Sequence, residues 1–441
     1  MSQGYVLYWM QQAQRVEDNK ALIEATREAN NLGCCVKVVF CLTDSFPDAN
    51  YRHYRFMFEG LVEVETKLIE LGYDFEIITG VLPNSLESFI TSSLKVYTDL
   101  GYLKIHSKWR DSVRELCEKQ SKEFFIVETE VIVPVELVSN KQEYMAWTFR
   151  KKITPLLEEY LIKDALPELK YKKQSDANSS KISSLKYMES YKESDYLRQG
   201  HFIGGISKAN CLWREFVTNK LSNYSNSNDP SLDLTSKLSP YLHFGQVSTK
   251  NLVLEVLEKK KELENEQTIE SFDNFLEQII VRRELAINNV YYNKGYDRFE
   301  SMTNDWAYKT MKKHAHDKRE YIYSLKDFEN LKTHDLYWNA AMKEMVITGY
   351  MHNYMRMYWC KKIIEWSKCY QEAYDMAIYF NNKYFLDGRD ANSYTGVAWC
   401  FGLHDRGWTE RPVLGKLRYM NSNGLRRKFD IDNYVKRINK L

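Results

Sequence analysis

Arg356, Trp359, Ile363 and Trp366 are spaced i, i+3, i+7 and i+10, which places them on one face of a helix. A guanidinium on a tryptophan-bearing face needs an anionic or π partner, because burying it alone costs desolvation. Asp387, in FLDGRD (385–390), is the candidate counter-charge. Seven of the ten tryptophans (Trp213, Trp306, Trp338, Trp359, Trp366, Trp399 and Trp408) fall after residue 200. Core packing explains any one of them, since indole buries a large area. Residues 401–441 add a second signal: six Arg and four Lys stand against three Asp and one Glu, 10 − 4 = +6, in a chain whose whole balance is only +2. Basic residues interleaved with Trp408, Tyr419 and Phe429 suit a phosphate-binding surface with stacking platforms. A solvated basic terminus is the plainer alternative.

Other chemistries find no support. There is no GxxxxGK[ST] loop, no GxGxxG after the first strand, no HExxH and no GxSxG. The nine histidines are scattered, and His314 and His316 read as surface residues without a role. The eight cysteines form no Cys-x-x-Cys pair, so no metal site is expected, and their sparseness fits a reducing compartment.

The elements that must position these residues follow from pattern. At 441 residues, two or three domains are expected. Hydrophobic residues at 44% and charged residues at 28% exclude wholesale disorder. GYVLYWM (4–10), CVKVVFCL (35–42), FEIITG (75–80), KVYTDL (95–100) and FFIVETEVIVPV (124–135) read as strands. Helical patterns lie between them, around 18–30 and 52–71. That rhythm implies a parallel sheet covered by helices, with ligands beyond the C-terminal strand ends. KKQSDANSSKISS (172–184) reads as a linker, and beyond about residue 200 the periodicity is helical. The expected division is an α/β domain over 1–150, a helical and loop linker over 151–200, and an all-α domain over 201–441. The first residues lack a basic start and a long apolar run, so no signal peptide and no membrane span are expected.

Several long stretches then match one family. GYMHNYMRMYWCKKIIEW (349–366), YFNNKYFLDGRDANSYTGVAW (379–399) and HDRGWTERPVLGKLRYMNSNGLRRKFD (404–430) closely resemble class II cyclobutane pyrimidine dimer photolyases. LSPYLHFGQVS (238–248), VRRELAINNVYYNKGYD (281–297) and the opening YWMQQAQRVEDNKAL (8–22) do so as well. The resemblance is essentially full length. It implies a Rossmann-like antenna-type α/β domain and an all-α C-terminal domain holding FAD, active as FADH⁻. It also implies binding of UV-damaged DNA, extrusion of the dimer, and splitting by a light-driven electron. Extrusion is physically required, because a stacked dimer cannot reach a buried flavin.

Residue by residue, the resemblance makes Tyr224 and the run Thr235, Ser236, Lys237, Leu238 and Ser239 contacts to the FAD phosphates and ribitol. For Ser236 and Ser239 alone, helix capping is an equal reading. Arg356 and Asp387 resemble the ion pair at the flavin ring, and Asn381 the amide facing its N5. Trp359 and Trp338 resemble the proximal and distal members of an electron-transfer dyad, with Trp366 as a side branch. Met357, Trp399 and Trp408 resemble the walls of the dimer pocket. Arg406 and Arg418 resemble residues holding DNA at the lesion. By charge, Lys416, Arg426, Arg427 and Lys428 add phosphate contacts.

One departure stands out. In FLEQIIVRREL (275–285), Gln278 stands where the family usually has Glu. The family's carboxyl group contacts the dimer and stabilises its radical anion. Gln278 keeps hydrogen-bond donors but supplies no proton, so slower splitting is expected; a subgroup norm is the alternative. Glu277 should point elsewhere on a helix, about 100° round. Lys237 also replaces what is more often Asn. The leading reading is a dimer-repair lyase. A cryptochrome-type photoreceptor without repair, and a colourless nucleic-acid-binding protein, are the rivals. A monomer in the cytoplasm, or the nucleus of a eukaryote, is expected. Any antenna chromophore is of unknown identity.

Overall fold

The computed structural model describes residues 4–43, 46–173 and 202–441. The polar stretch expected as a linker lies outside the described residues from 174 onward. Among the described residues, five parallel strands form one sheet: β1 (Tyr5–Met10), β2 (Val36–Leu42), β3 (Asp74–Thr79), β4 (Ser93–Asp99) and β5 (Glu123–Val127). Their order is β3-β2-β1-β4-β5. β1 is central and fully apolar because helices cover both faces, which is why its sequence runs without alternation. The order reverses between β1 and β4, the place where open α/β sheets bind ligands. Asp99, ending β4, fixes the chain there by accepting Gln11 N at 2.8 Å and Tyr8 OH at 2.9 Å.

The first helix, Lys20–Leu32, shows how local signals set its limits. Asn19 caps it by accepting Leu22 N at 3.0 Å. Gly33 ends it at φ +70°, where a side chain would be strained. Between them Ala21, Leu22, Ala25, Thr26 and Ala29 make the stripe buried against the sheet.

The fifth strand is shorter than the sequence suggests. FFIVETEVIVPV keeps its pairing only to Val127. Val131, Ile132 and Val133 are buried irregular chain. Pro134 has no N–H, and Ile132 N donates to the Glu284 carboxylate at 2.6 Å instead of to a strand. A continuous apolar run marks burial on both sides, which helices from the C-terminal half provide here.

Beyond residue 202 the described elements are helical, apart from one antiparallel bridge between Arg411 and Gly415. The two halves are stitched by buried polar groups. Arg15, 2% exposed, pairs with Glu130 and donates to Gly245 O at 3.0 Å. Arg52 donates to Tyr384 O at 3.0 Å and to carbonyls ending the helix Leu336–Thr348. The helix Ala146–Ile153 crosses the division expected at residue 150, and Arg150 pairs with Glu277. No helix among the described residues is long and apolar enough to cross a membrane. Among the same residues, no cluster of three or more His, Cys, Asp or Glu is placed to hold a metal ion.

Candidate functional site

A cavity of ≈ 570 Å³ opens among the C-terminal helices and against the sheet turns. Its walls hold Tyr224, Thr235 to Ser239, Gln278, Arg356, Met357, Trp359, Asn381, Asp387 and Trp399. Nine stretches of chain between residues 12 and 404 contribute to one chamber, which is why no short motif announces it.

The helix Asn353–Trp366 supplies one wall. Arg356 donates through Nε to Met351 O and through Nη2 to Asp387 Oδ2, both at 2.9 Å. Its guanidinium also lies 4.0 Å from the Phe385 ring centre and 5.6 Å from that of Tyr350. Asp387 sits in the turn after the helix Tyr370–Tyr384. That turn requires Gly388: a Cβ there would meet Asn381 O at 2.5 Å and Phe385 O at 2.9 Å. Asn381 faces the cavity from the same helix and donates one N–H to Asn382 Oδ1 at 3.1 Å.

The turn Thr235–Ser239 also lines the cavity. Lys237 takes φ +56° and reaches Asp233 at 2.7 Å, away from a lysine's usual solvated reach. Thr235 Oγ1 and Tyr350 OH lie 2.9 Å apart. The short helix Ser239–His243 begins without a side-chain cap, so neither Ser236 nor Ser239 serves as one. Burial pushes the Tyr224 phenol up to about 12, so it stays a neutral donor.

Gln278 lies in a π-helical segment, Glu277–Arg282, between the helices Glu266–Leu276 and Arg283–Tyr292. Such segments recur at functional sites, because the extra residue re-aims neighbouring side chains. Gln278 lines the cavity, whereas Glu277 turns outward to Arg150 at 2.7 Å and 2.9 Å and to Arg282 at 3.1 Å.

Trp359 borders the cavity; Trp338 and Trp366 lie behind it. Trp338 Nε1 donates to Trp359 O at 3.0 Å. The Trp338 and Trp366 ring centres are 6.2 Å apart at 64°. Trp366 in turn lies 5.8 Å from Tyr323 and 4.9 Å from His334, and His334 stacks on half-exposed Tyr321 at 3.8 Å. Beyond the tryptophans expected from sequence, Tyr321, Tyr323 and His334 carry the aromatic row from Trp366 to the surface. Their only sequence signal is aromatic spacing, which ordinary packing shares.

At the cavity mouth, Trp399 lies 5.6 Å from both Arg418 and Lys361. Trp408, 37% exposed, lies 5.1 Å from Arg406 and 5.1 Å from Arg418. Arg406, Trp408, Lys416 and Arg418 do not line the chamber; of these, Arg418 lies 5.6 Å from Trp399, which does. Lys416 and Arg427 are exposed, while Arg426 is tied to Tyr337 OH at 2.8 Å and Lys428 to Tyr354 OH at 3.3 Å. His404, also a wall residue, escapes the sequence reading; burial pulls its imidazole down to about 4, so it is neutral.

A smaller cavity of ≈ 100 Å³ sits beyond β1 and β2, lined by Trp9, Phe40, Phe46 and Trp109 among others. Gln12, His106, His243 and Arg389 line both cavities.

A doubly wound parallel sheet is thus backed by a helical half, with a chamber walled by an ion pair and by tryptophans. The chain is 43% identical over 439 residues, 99% of its length and 95% of the relative's, to a deoxyribodipyrimidine photo-lyase of Methanothermobacter thermautotrophicus. In fold it is similar to a photolyase of Sulfolobus tokodaii described with two FAD molecules (TM-score 0.73, 17% identity, covering 98% and 89% of the two chains). It is equally similar in fold to a Synechocystis cryptochrome (TM-score 0.75, 14% identity, covering 99% and 89%). The DNA photolyase family model matches residues 6–170. The chain belongs to the DNA photolyase family, and it is an enzyme of the deoxyribodipyrimidine photo-lyase kind.

Proposed function

We propose that this enzyme repairs cyclobutane pyrimidine dimers in UV-damaged DNA by a light-driven electron, and that it is of class II. FAD, held by residues of the ≈ 570 Å³ cavity, would supply light-driven one-electron chemistry as FADH⁻. The residues present fit such a group. Asp387 Oδ1 and Trp359 Nε1 are buried without hydrogen-bond partners at the cavity wall, and the volume falls within the usual ligand range of about 300–1,000 Å³. This cradle, with the Arg356–Asp387 pair on its wall, is the observation that carries the proposal.

Arg356 and Asp387 would present their paired charges to the flavin ring. Asn381 presents an amide, which serves either protonation state as donor or acceptor. Tyr224 and Thr235, Ser236, Lys237, Leu238 and Ser239 hold the phosphates and ribitol. Trp359, with Trp338 and Trp366 behind it, relays electrons inward. Met357, Trp399 and Trp408 wall the flipped dimer, Arg406 and Arg418 hold the strand, and Lys416, Arg426 and Arg427 add phosphate contacts. Gln278 donates a hydrogen bond to the dimer but transfers no proton. That residue is also what favours a second reading, a cryptochrome-like receptor without repair.

We keep residues 1–150 as the antenna-type domain, 151–200 as linker and 201–441 as the catalytic domain of a monomer. At ≈ 100 Å³ the smaller cavity is below the usual size for a ligand pocket.

Two measurements test the assignment of cofactor and partner. Chromophore released by heat from the purified protein should be FAD by mass and fluorescence. A dimer-containing duplex should bind more tightly than the undamaged one, with affinity falling as salt rises. A colourless protein, or equal binding of the two duplexes, contradicts it.

A further inference from the structure

The segment that carries Trp408 is held from outside the cavity by one histidine. His314 follows the helix Asp305–Lys313 as its C-cap residue. Its Nδ1 lies 2.7 Å from Asp317 Oδ2 and its Nε2 lies 2.8 Å from Glu410 Oε1. A neutral imidazole has one N–H and cannot donate to both carboxylates; an imidazolium can.

Asp317 and the helix before it also grip the segment directly. Asp317 Oδ2 accepts Val413 N at 2.8 Å, and Lys313 Nζ reaches Glu410 Oε1 at 2.7 Å. Thr310 Oγ1 accepts Lys416 N at 2.9 Å. Gly415 takes φ +54° with no room for a side chain: a Cβ would meet Thr310 Oγ1 at 2.3 Å and His314 Cδ2 at 2.8 Å. The segment therefore packs directly on the histidine. It closes on itself through Arg411 N to Gly415 O and Trp408 N to Lys416 O, each 2.9 Å. At its open end, Trp408 is flanked by Arg406 and Arg418.

We propose that protonated His314 is the positioning residue of the hairpin 405–418, presenting Arg406, Trp408 and Arg418 preformed to lesion DNA, and that losing its proton loosens the hairpin and weakens lesion binding. This rests on the repair reading above. Preformed contacts bind more tightly because the ordering cost is met before the encounter.

The charges facing His314 are Lys313 on its own helix, Asp317 in the following turn, and Glu410 on the hairpin; Arg319 acts on Asp317. Glu410 and Asp317 hold the imidazole above its ordinary value of 6.5. Glu410 is itself held down to about 2, and Asp317 below its ordinary value. The clamp is therefore complete below the ordinary histidine range and is lost as pH rises through the raised value.

The test uses the full-length protein in the dark at constant ionic strength. Binding of a dimer-containing duplex and of its undamaged twin is followed by anisotropy from about pH 6 to about pH 9. Hydrogen exchange of the peptide covering the hairpin is followed over the same range without DNA. Wild-type lesion affinity should fall along one titration centred above the ordinary histidine value, and hairpin exchange should rise along the same curve. His314→Gln should bind roughly five- to tenfold more weakly at the low-pH end, about 1–1.4 kcal/mol, and show a flat profile. Glu410→Gln keeps an acceptor but removes one charge, so its midpoint should move to lower pH. A wild-type profile in His314→Gln, or an unmoved midpoint in Glu410→Gln, overturns the proposal; the second variant decides the matter if the first does not fold. Failure of the wild type to prefer lesion DNA at any pH would sink the repair reading alone, because the exchange curves still report on the clamp.

Discussion

The Arg356 guanidinium meets Asp387 at 2.9 Å while lying 4.0 Å from the Phe385 ring centre. One cation thus joins the helix Asn353–Trp366 to the turn beyond Tyr384, at the wall of the large cavity. The second Asp387 oxygen is buried there without a partner. A pair so placed presents both charge signs to an aromatic ring in the cavity, at little reorganisation cost.

Asp387→Ala leaves Arg356 half-buried without its counter-charge. The protein should lose about 1–3 kcal/mol of stability, seen as a lower Tm. It should also retain less flavin, read from the visible absorbance relative to protein. Full flavin content in this variant would remove Asp387 from the binding set.

Trp338 is fully buried and spends its indole N–H on Trp359 O. Trp338→Phe should cost about 1 kcal/mol for that bond. Reduction of the flavin by light should slow several-fold, whereas repair by chemically reduced protein should not change. Equal losses in both assays would mean that Trp338 acts through packing alone.

Gln278 lies on the cavity wall, at the position where the resemblance described above leads one to expect Glu. Gln278→Glu should raise the yield of dimer splitting several-fold, and the gain should fade once pH rises above the new carboxyl's titration. An unchanged yield measured per absorbed photon would show that other wall residues already supply what the carboxyl does.

Glu284 is the buried acid that holds the 131–133 segment. Burial, opposed by the Ile132 N–H, pushes it up to about 7 from 4.5. Its folded value is raised, so the native state holds an extra proton between those values. Stability therefore falls as pH rises from about 4.5 to about 7, by on the order of 3 kcal/mol in total. Glu284→Gln keeps an acceptor for Ile132 N, so its Tm should match wild type near pH 4.5 and exceed it at pH 8. Parallel Tm curves for the two proteins would contradict this assignment.

The sequence is most legible where a single physical rule decides. β1 is readable because burial on both faces leaves no polar position, and Lys20–Leu32 because Asn19 and Gly33 mark its ends. The i, i+3 spacing places Arg356 beside Trp359 without further help. The valines at 131 and 133 mislead, because apolar continuity reports burial and not pairing. The π-helical turn at Gln278 leaves no trace in periodicity, since one extra residue per turn is invisible in a short window. His314 reads as an unremarkable surface residue because Glu410, its second carboxylate, lies 96 positions away in the chain. Long-range pairs of this kind are set by how helices pack, which residue spacing does not encode.

The repair function meets its most direct test in the absorbance of a thymine-dimer oligonucleotide at 260 nm. Reduced protein and oligonucleotide are illuminated with blue light beside a dark control. Dimer repair predicts recovery of the 260 nm absorbance in the light and none in the dark. A protein that holds flavin and photoreduces, yet never restores that absorbance, would contradict repair and point to a receptor.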